Sequence, residues 1–471
     1  MQTQTLFRFS RRLLVPALLG LGACNFLDVG PPPTQVVDTT VYSADASATA
    51  GVLGIYIGLT SRGLNVPGIA NDAALSTFLG LEADELLYAT TTFDEYRLNQ
   101  VNPAGNGPSL LWSQAYTNIY QCNTAVAGLT ASTTLTASLR TQLLGEAKFL
   151  RAFNYFYLAN IFGDVPLVLG TDYAANSTLG RTPKADVYAQ VVLDLLDAQK
   201  ALAATYPVSN ERTRVNQAAA TALLARVYLY QQNWAAAETQ ASAVLSQTSL
   251  YTLPALNQVF LANSQEAIWQ LRRAGTVSTN TAEGAYFVPA SLTVAPTATY
   301  QLTTTLYNAF GTPDNRRTTW TNNYTVAGTT YRYPYKYQQR VATANAGNAT
   351  EYSVVLRLAE QYLIRAEARI RQGKIADGLA DLNVVRARAG ATALATTLGQ
   401  ADALLAVENE RRLELFTEYG HRWFDLIRTG RAATVLGAYK GVTWDANDNV
   451  WPIPATQLLA NPALTQNPGY Q

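Results

Sequence analysis

The chain has 471 residues, 48% of them hydrophobic, with 34 basic and 33 acidic side chains and a formal net charge of +1. That length supplies a core for one or two domains, and the balance of charge leaves no broad positive field, which argues against a nucleic-acid partner. A single histidine, His421, excludes metal sites built from histidine clusters, and with only Cys24 and Cys122 present no disulfide forms within the chain if Cys24 is used otherwise.

Residues 1–23 read as a secretory signal: Arg8, Arg11 and Arg12 precede an apolar run from Leu13 to Leu21, then Gly22 and Ala23. The run is shorter than the roughly 20 apolar residues a membrane-spanning helix needs. The tetrapeptide Leu21-Gly22-Ala23-Cys24 resembles the bacterial lipobox, so Cys24 is the expected lipidation site. Residues 24–40, which include Pro31-Pro32-Pro33, read as an extended tether.

Helical patterns dominate the chain beyond the tether, with a scaffold expected over about 41–250 and 353–440. Thr182-Pro183 offers an N-cap and a first-turn proline before Val187, Val191, Leu195 and Ala198 at helical spacing. Ala225, Trp234, Ala237, Ala241 and Val244 share their offsets with Ala366, Ile375, Gly378, Leu382 and Val385. Small residues at these points let two antiparallel helices approach, with the bulky residue wedged between them, in the manner of a tetratricopeptide pair. A third pair is expected from Phe149-Leu150-Arg151-Ala152, its second helix delayed by a loop over about 160–181, and a fourth includes residues 111–129. Cys122 reads as a small buried hydrophobe.

From about 251 to 352 the helical period fades, and Thr330 to Tyr337 alternate as an edge strand or extended loop in which Pro334 excludes a central position. The fold class expected is therefore mainly α, a scaffold of tetratricopeptide-like pairs with a largely irregular insert carrying short β-strands. Such inserts are where ligand sites lie. With 27 tyrosines and 7 tryptophans in the chain, Trp320, Tyr324, Tyr331, Tyr333 and Tyr335 are the candidates for stacking on a ligand ring, and Asp84, Tyr96 and Arg97 for hydrogen bonding to it.

Rival readings are weaker. Glu82, Asp84 and Glu85 would have to face one another across a bond to act as a glycosidase pair, and acids before an apolar run also suit a helix N-terminus. No nucleophile-elbow sequence accompanies His421, and Asp445 to Asn449 lacks the glycine and glutamate of a calcium loop, leaving a polar turn. No catalytic residue, metal or cofactor is expected.

Six segments together resemble the SusD/RagB family of nutrient-binding lipoproteins of Bacteroidetes, of the starch-utilisation type. They are Cys24 with Phe26-Leu27-Asp28, Glu146 to Val168, Arg214 to Trp234, the stretch from Leu356, the charged stretch from Val407 containing "ENERRLELFTEYGHRWFDLIRTGR", and Trp451 to Tyr470 within the C-terminal segment 451–471. In the charged stretch, Glu408, Glu410, Arg411, Arg412 and Glu414 can pair at helical spacing while Leu413, Phe416 and Trp423 pack inward. The resemblance implies one domain over 41–471 at the cell surface, anchored in the outer membrane through its lipid. It implies a non-enzymatic protein that captures a glycan and hands it to a SusC-like TonB-dependent transporter, whose lid it forms. The family's binding residues vary and lie outside these motifs, so none is carried over. A tetratricopeptide-like interaction scaffold or a peptide-binding lipoprotein is the alternative, and a glycoside hydrolase a more distant one.

Overall fold

The computed structural model describes residues 38–61, 71–273, 280–340 and 349–470. Cys24, the signal segment and the tether as far as residue 37 lie outside the described residues. The helices of eight residues or more are α1 (Asp45–Ser61), α2 (Asn71–Glu82), α3 (Asn106–Ala131), α4 (Ala137–Phe162), α5 (Lys184–Ala201), α6 (Gln217–Tyr230), α7 (Trp234–Leu245), α8 (Leu358–Arg371), α9 (Ile375–Arg388), α10 (Gln400–Leu415), α11 (His421–Arg428) and α12 (Ala432–Lys440).

The two matched patterns form helical pairs, and the pairs pack on each other. Ala225, Leu229, Ala237 and Ala241 from α6 and α7 share one buried cluster with Ile364 and Ala368 of α8, against which Trp234 is partly buried. In the second pair, α8 and α9, Gly378 marks the closest approach: a Cβ there would lie 2.5 Å from Ile370 and 2.7 Å from the Ala366 carbonyl oxygen. Only a glycine fits. Copies separated in sequence by the whole insert are thus neighbours in space, because each pair has an apolar face that its own two helices cannot cover. The third pair is α4 with α5, and α3 packs along α4.

The start of α5 departs from expectation. The helix begins at Lys184, one residue after Pro183, and its first N–H is capped by Asp164, whose Oδ1 accepts from the Lys184 N–H at 2.8 Å, rather than by Thr182. The end of α4 agrees with the sequence: the helix stops at Phe162 and Gly163 takes a φ of +74°, a turn that glycine enters without steric cost. The C-terminal segment seals this end. The Asn467 side-chain N–H donates to the carbonyl oxygens of Phe162 and Trp451, at 2.9 and 2.7 Å, and the Trp451 backbone N–H donates to the Ile161 carbonyl at 2.7 Å.

Among the described residues six strands lie in or beside the insert, in three antiparallel pairs. β1 (Leu86–Tyr88) pairs with β3 (Tyr300–Leu302), β2 (Ala267–Leu271) with β6 (Ser353–Arg357), and β4 (Thr321–Val326) with β5 (Thr329–Pro334). Every residue of β2 and β6 is buried, so the insert's entry is fastened to its exit, where the chain runs directly into α8. Trp269 of β2 is enclosed edge-on by Tyr56, Phe149 and Phe153, with ring centroids 6.3, 5.1 and 5.1 Å away.

Leu413, Phe416 and Trp423 are buried, as the charged stretch required, but its ion pairs are not local. Arg411 reaches Asp425 on α11, Arg412 reaches Asp84, and Glu408 receives Arg422 and Arg431. Side chains of a buried helix face neighbours on other elements, so helical spacing alone does not choose their partners.

Candidate ligand-binding site

The alternating stretch from Thr330 forms the second strand of a hairpin. Ala327 and Gly328 make its two-residue turn, both with positive φ, at +49° and +80°, which matches the right-handed twist of the strands. Register places Tyr324 opposite Tyr331 and Asn322 opposite Tyr333. Because side chains alternate across a strand, Tyr324, Tyr331 and Tyr333 share one face. Their rings form a continuous run: Tyr324 lies 5.4 Å from Tyr331 and 6.2 Å from Tyr333, and Tyr335 stands at 90° to Tyr333 at 5.8 Å. Tyr324 and Tyr333 are buried beneath, while Tyr331 and Tyr335 remain partly exposed.

The base of the hairpin is held by charge. Trp320 precedes β4 and Lys336 comes just after β5, and the Tyr335 N–H closes the base on the Trp320 carbonyl at 2.8 Å. The Lys336 ammonium donates to the carbonyl oxygens of Glu414 and Phe416, at 2.8 and 2.9 Å, and to the Glu418 carboxylate at 2.5 Å. Arg357 bridges Glu266, Glu414 and Glu418, and Arg316 bridges Asp314, Glu410 and Glu414. Arg388 joins Glu266 and Glu414, and Arg386 joins Glu410. Five cations thus meet five carboxylates, with contributions from the insert, including Glu266 just before β2, and from β6, α9 and the α10–α11 region. Burial pushes the Lys336 ammonium down to about 8 against the pull of Glu418. Burial alone would raise Glu414, but Arg388, Arg357 and Arg316 hold its carboxyl well below the usual range.

One expected contact residue belongs to this support, and others are engaged elsewhere. Trp320 is 1% exposed, its indole N–H donates to the Leu256 carbonyl at 3.0 Å, and Lys336, Arg388 and Arg357 lie 4.9, 5.3 and 5.9 Å from its ring centroid. It has no open face for a sugar, which corrects the stacking expectation. Asp84 is likewise locked, between Arg422 at 2.8 Å and Arg412 at 2.6 Å. Tyr96 is 1% exposed, packed on Phe78 and Trp451, and its hydroxyl accepts from the Gly107 N–H at 3.2 Å. Arg97 is partly exposed and pairs with Asp94 at 2.7 Å.

The acidic run 82–85 lies at the end of α2 rather than starting a helix, so the helix-dipole reading of these acids is also corrected. Glu82 accepts from the Trp451 indole N–H at 2.7 Å, and burial raises it to about 8 despite that bond; Glu85 is raised to about 8 in the same way while accepting from the Thr417 N–H. All three acids turn into the interior. His421 is buried 4.0 Å from Glu360, and burial together with the charges of Arg226 and Arg411 keeps it neutral. Asp445 and Asp448 close a capping box in the polar turn expected there.

The reverse face of the hairpin was not legible in the sequence. Arg332 of β5 and Arg317 both place their guanidinium carbons 4.5 Å from the Tyr307 ring centroid, and the Arg317 hydrogen bond is the main cause lowering the Tyr307 hydroxyl. Alternation within Tyr331-Arg332-Tyr333 signals a change of face, but nothing local brings Tyr307 and Arg317 to it.

These features define a helical, tetratricopeptide-like binding protein whose aromatic hairpin is mounted on a buried ionic support. A profile described as "SusD family" matches residues 297–470, and one described as "Starch-binding associating with outer membrane" matches 26–229. The SusD-like protein P25 of Formosa agariphila is 26% identical, over 93% of this chain and 95% of its own length. A SusD superfamily protein from Parabacteroides distasonis has the same fold, with a TM-score of 0.78 at 23% identity over 90% of this chain and 99% of that one. A laminarin-binding SusD-like protein superimposes with a TM-score of 0.76 at 24% identity, over 91% of this chain and 100% of that one. The chain belongs to the SusD/RagB family of Bacteroidetes, proteins that bind carbohydrate and associate with the outer membrane.

Proposed function

We propose that the protein is a lipid-anchored, non-catalytic receptor that captures a glycan on the tyrosine face of β4–β5 and passes it to a SusC-like TonB-dependent transporter. The observation that carries this reading is the pairing of two partly exposed tyrosines, Tyr331 and Tyr335, with a hairpin base immobilised by buried ion pairs. A sugar ring gains from a flat aromatic face and a hydroxyl tip only if the face does not have to be ordered on binding. β3 packs against β5 and carries Tyr300 beside Tyr88 of β1, so the first inter-helix region borders the hairpin. The similarity to a laminarin-binding relative supports a polysaccharide ligand, and the lipobox at Cys24 supports the anchor. Affinity-gel retardation on immobilised polysaccharides tests capture, with reducing-sugar release assayed alongside. Retardation without sugar release is the expected result, and sugar release lost on Glu82→Gln would overturn the non-catalytic reading. Co-purification with a SusC-like transporter from the native outer membrane tests the handover.

A further inference from the structure

On the scaffold, where α5, α6 and α11 meet, lies an open cavity of about 580 Å³. The partly exposed Tyr230 and Ile427 form its apolar wall, backed by the buried Tyr188 and Phe424, and Lys184 and Gln231 stand at its polar side. The volume falls within the range of roughly 300 to 1,000 Å³ that small-molecule sites occupy, and an apolar wall with a few convergent polar groups is their usual composition.

The charge in this cavity is incomplete. The Lys184 side chain is partly withdrawn from water, yet among the described residues no carboxylate lies within ion-pair distance of its ammonium. Its hydrogen bond goes to the Asn160 Oδ1 at 3.1 Å, an oxygen already accepting from the Tyr188 hydroxyl at 2.9 Å. Asp164, in the turn after α4, faces the backbone of Lys184 and accepts its N–H. Arg428 of α11 lines the same cavity but is fully engaged, by Glu367 at 2.8 and 2.7 Å and by Asp425 at 2.8 Å. A partly desolvated cation with spare donors and no carboxylate in contact with its ammonium, set beside an aromatic wall, is arranged for an anion that brings a ring with it.

We propose that this cavity is a second binding site, separate from the hairpin, that takes a small carboxylate of sugar size, a uronic acid, with its anion on Lys184. The site stands on its own observations and does not depend on capture by the hairpin. Burial holds Lys184 at about 8, with Asp164 opposing it, while Tyr188 and Tyr230 are raised out of the range and Arg428 is neutralised by its partners. At pH 8 the ammonium is therefore about half deprotonated, and an anion beside it draws the proton back.

The test is isothermal titration of the full chain with D-glucuronate, D-glucuronamide and D-glucose. Glucuronate is expected to bind at least tenfold more tightly than either neutral sugar. Repeating the titration at pH 8 in buffers of different ionisation enthalpy should show uptake of up to about half a proton, absent at pH 6. Lys184→Gln keeps a donor for Asn160 and removes the charge, so it should abolish both the preference and the proton uptake without lowering the unfolding temperature. Ala185→Trp, at the exposed lip, should block binding with the charge intact. Equal affinity for glucuronate and glucuronamide, unchanged binding in Lys184→Gln, or no heat at millimolar glucuronate would each overturn the proposal.

Discussion

The base and the outer face of the β4–β5 hairpin are built on opposite physical plans. At the base every formal charge has an opposite partner and almost no water, as with Arg316 among Asp314, Glu410 and Glu414. On the outer face Tyr331 and Tyr335 keep ring surface in solvent above the buried Tyr324 and Tyr333. The contrast separates two tasks. A support is rigid when its charges are paired and buried, whereas a recognition surface keeps ring face open for a ligand.

Breaking the base should have the largest effect. Arg357→Met leaves Glu266, Glu414 and Glu418 without a shared partner and is expected to cost about 3–5 kcal/mol, read as a lowered midpoint in denaturant. Trp320→Ala, which empties a buried ring site roofed by three cations, should cost about 3–5 kcal/mol as well and loosen the hairpin along with the fold. Unchanged stability in either variant would mean that the base does not hold the hairpin.

Per unit of pH, a smaller effect comes from titration. Glu82 and Glu85 both sit at about 8 in the folded chain, above their ordinary 4.5, so the folded state binds more protons between those values. Their contribution is complete below pH 4.5 and is lost as pH rises through 8, at up to about 1.4 kcal/mol per pH unit for each group. Glu82→Gln should flatten that part of the stability profile, checked by chemical denaturation from pH 5 to 8. The smallest stability change is expected on the outer face, where Tyr331→Ala should cost under about 1 kcal/mol in folding while weakening glycan binding roughly tenfold.

The helical pairs were legible because a small residue at a helix crossing leaves a mark in sequence, and Gly378 shows why that mark cannot vary. The hairpin was legible from its alternation. What sequence could not supply was long-range choice. Glu414 was expected to pair along its own helix, yet its partners Arg316, Arg357 and Arg388 come from three other elements. Residue type also does not reveal facing: Trp320 and Tyr335 looked alike as ring donors, and only the fold turns one into a buried post and leaves the other at the surface. Asp84 and Tyr96 were mistaken in the same way, since a polar tip inside a core finds its partner within the fold, here Arg422 from distant chain and the nearby Gly107 N–H. The anchor rests on sequence alone, and Cys24→Ala is expected to release the protein from membranes with its fold and ligand affinity unchanged, checked by membrane fractionation.

The most direct test is the double variant Tyr331→Ala/Tyr335→Ala, compared with the unaltered chain by affinity-gel retardation on the retained polysaccharide and by thermal unfolding. Loss of retardation with an unfolding temperature within a few degrees of the original is the predicted result. Full retardation by a folded double variant would contradict the assignment of glycan capture to this face.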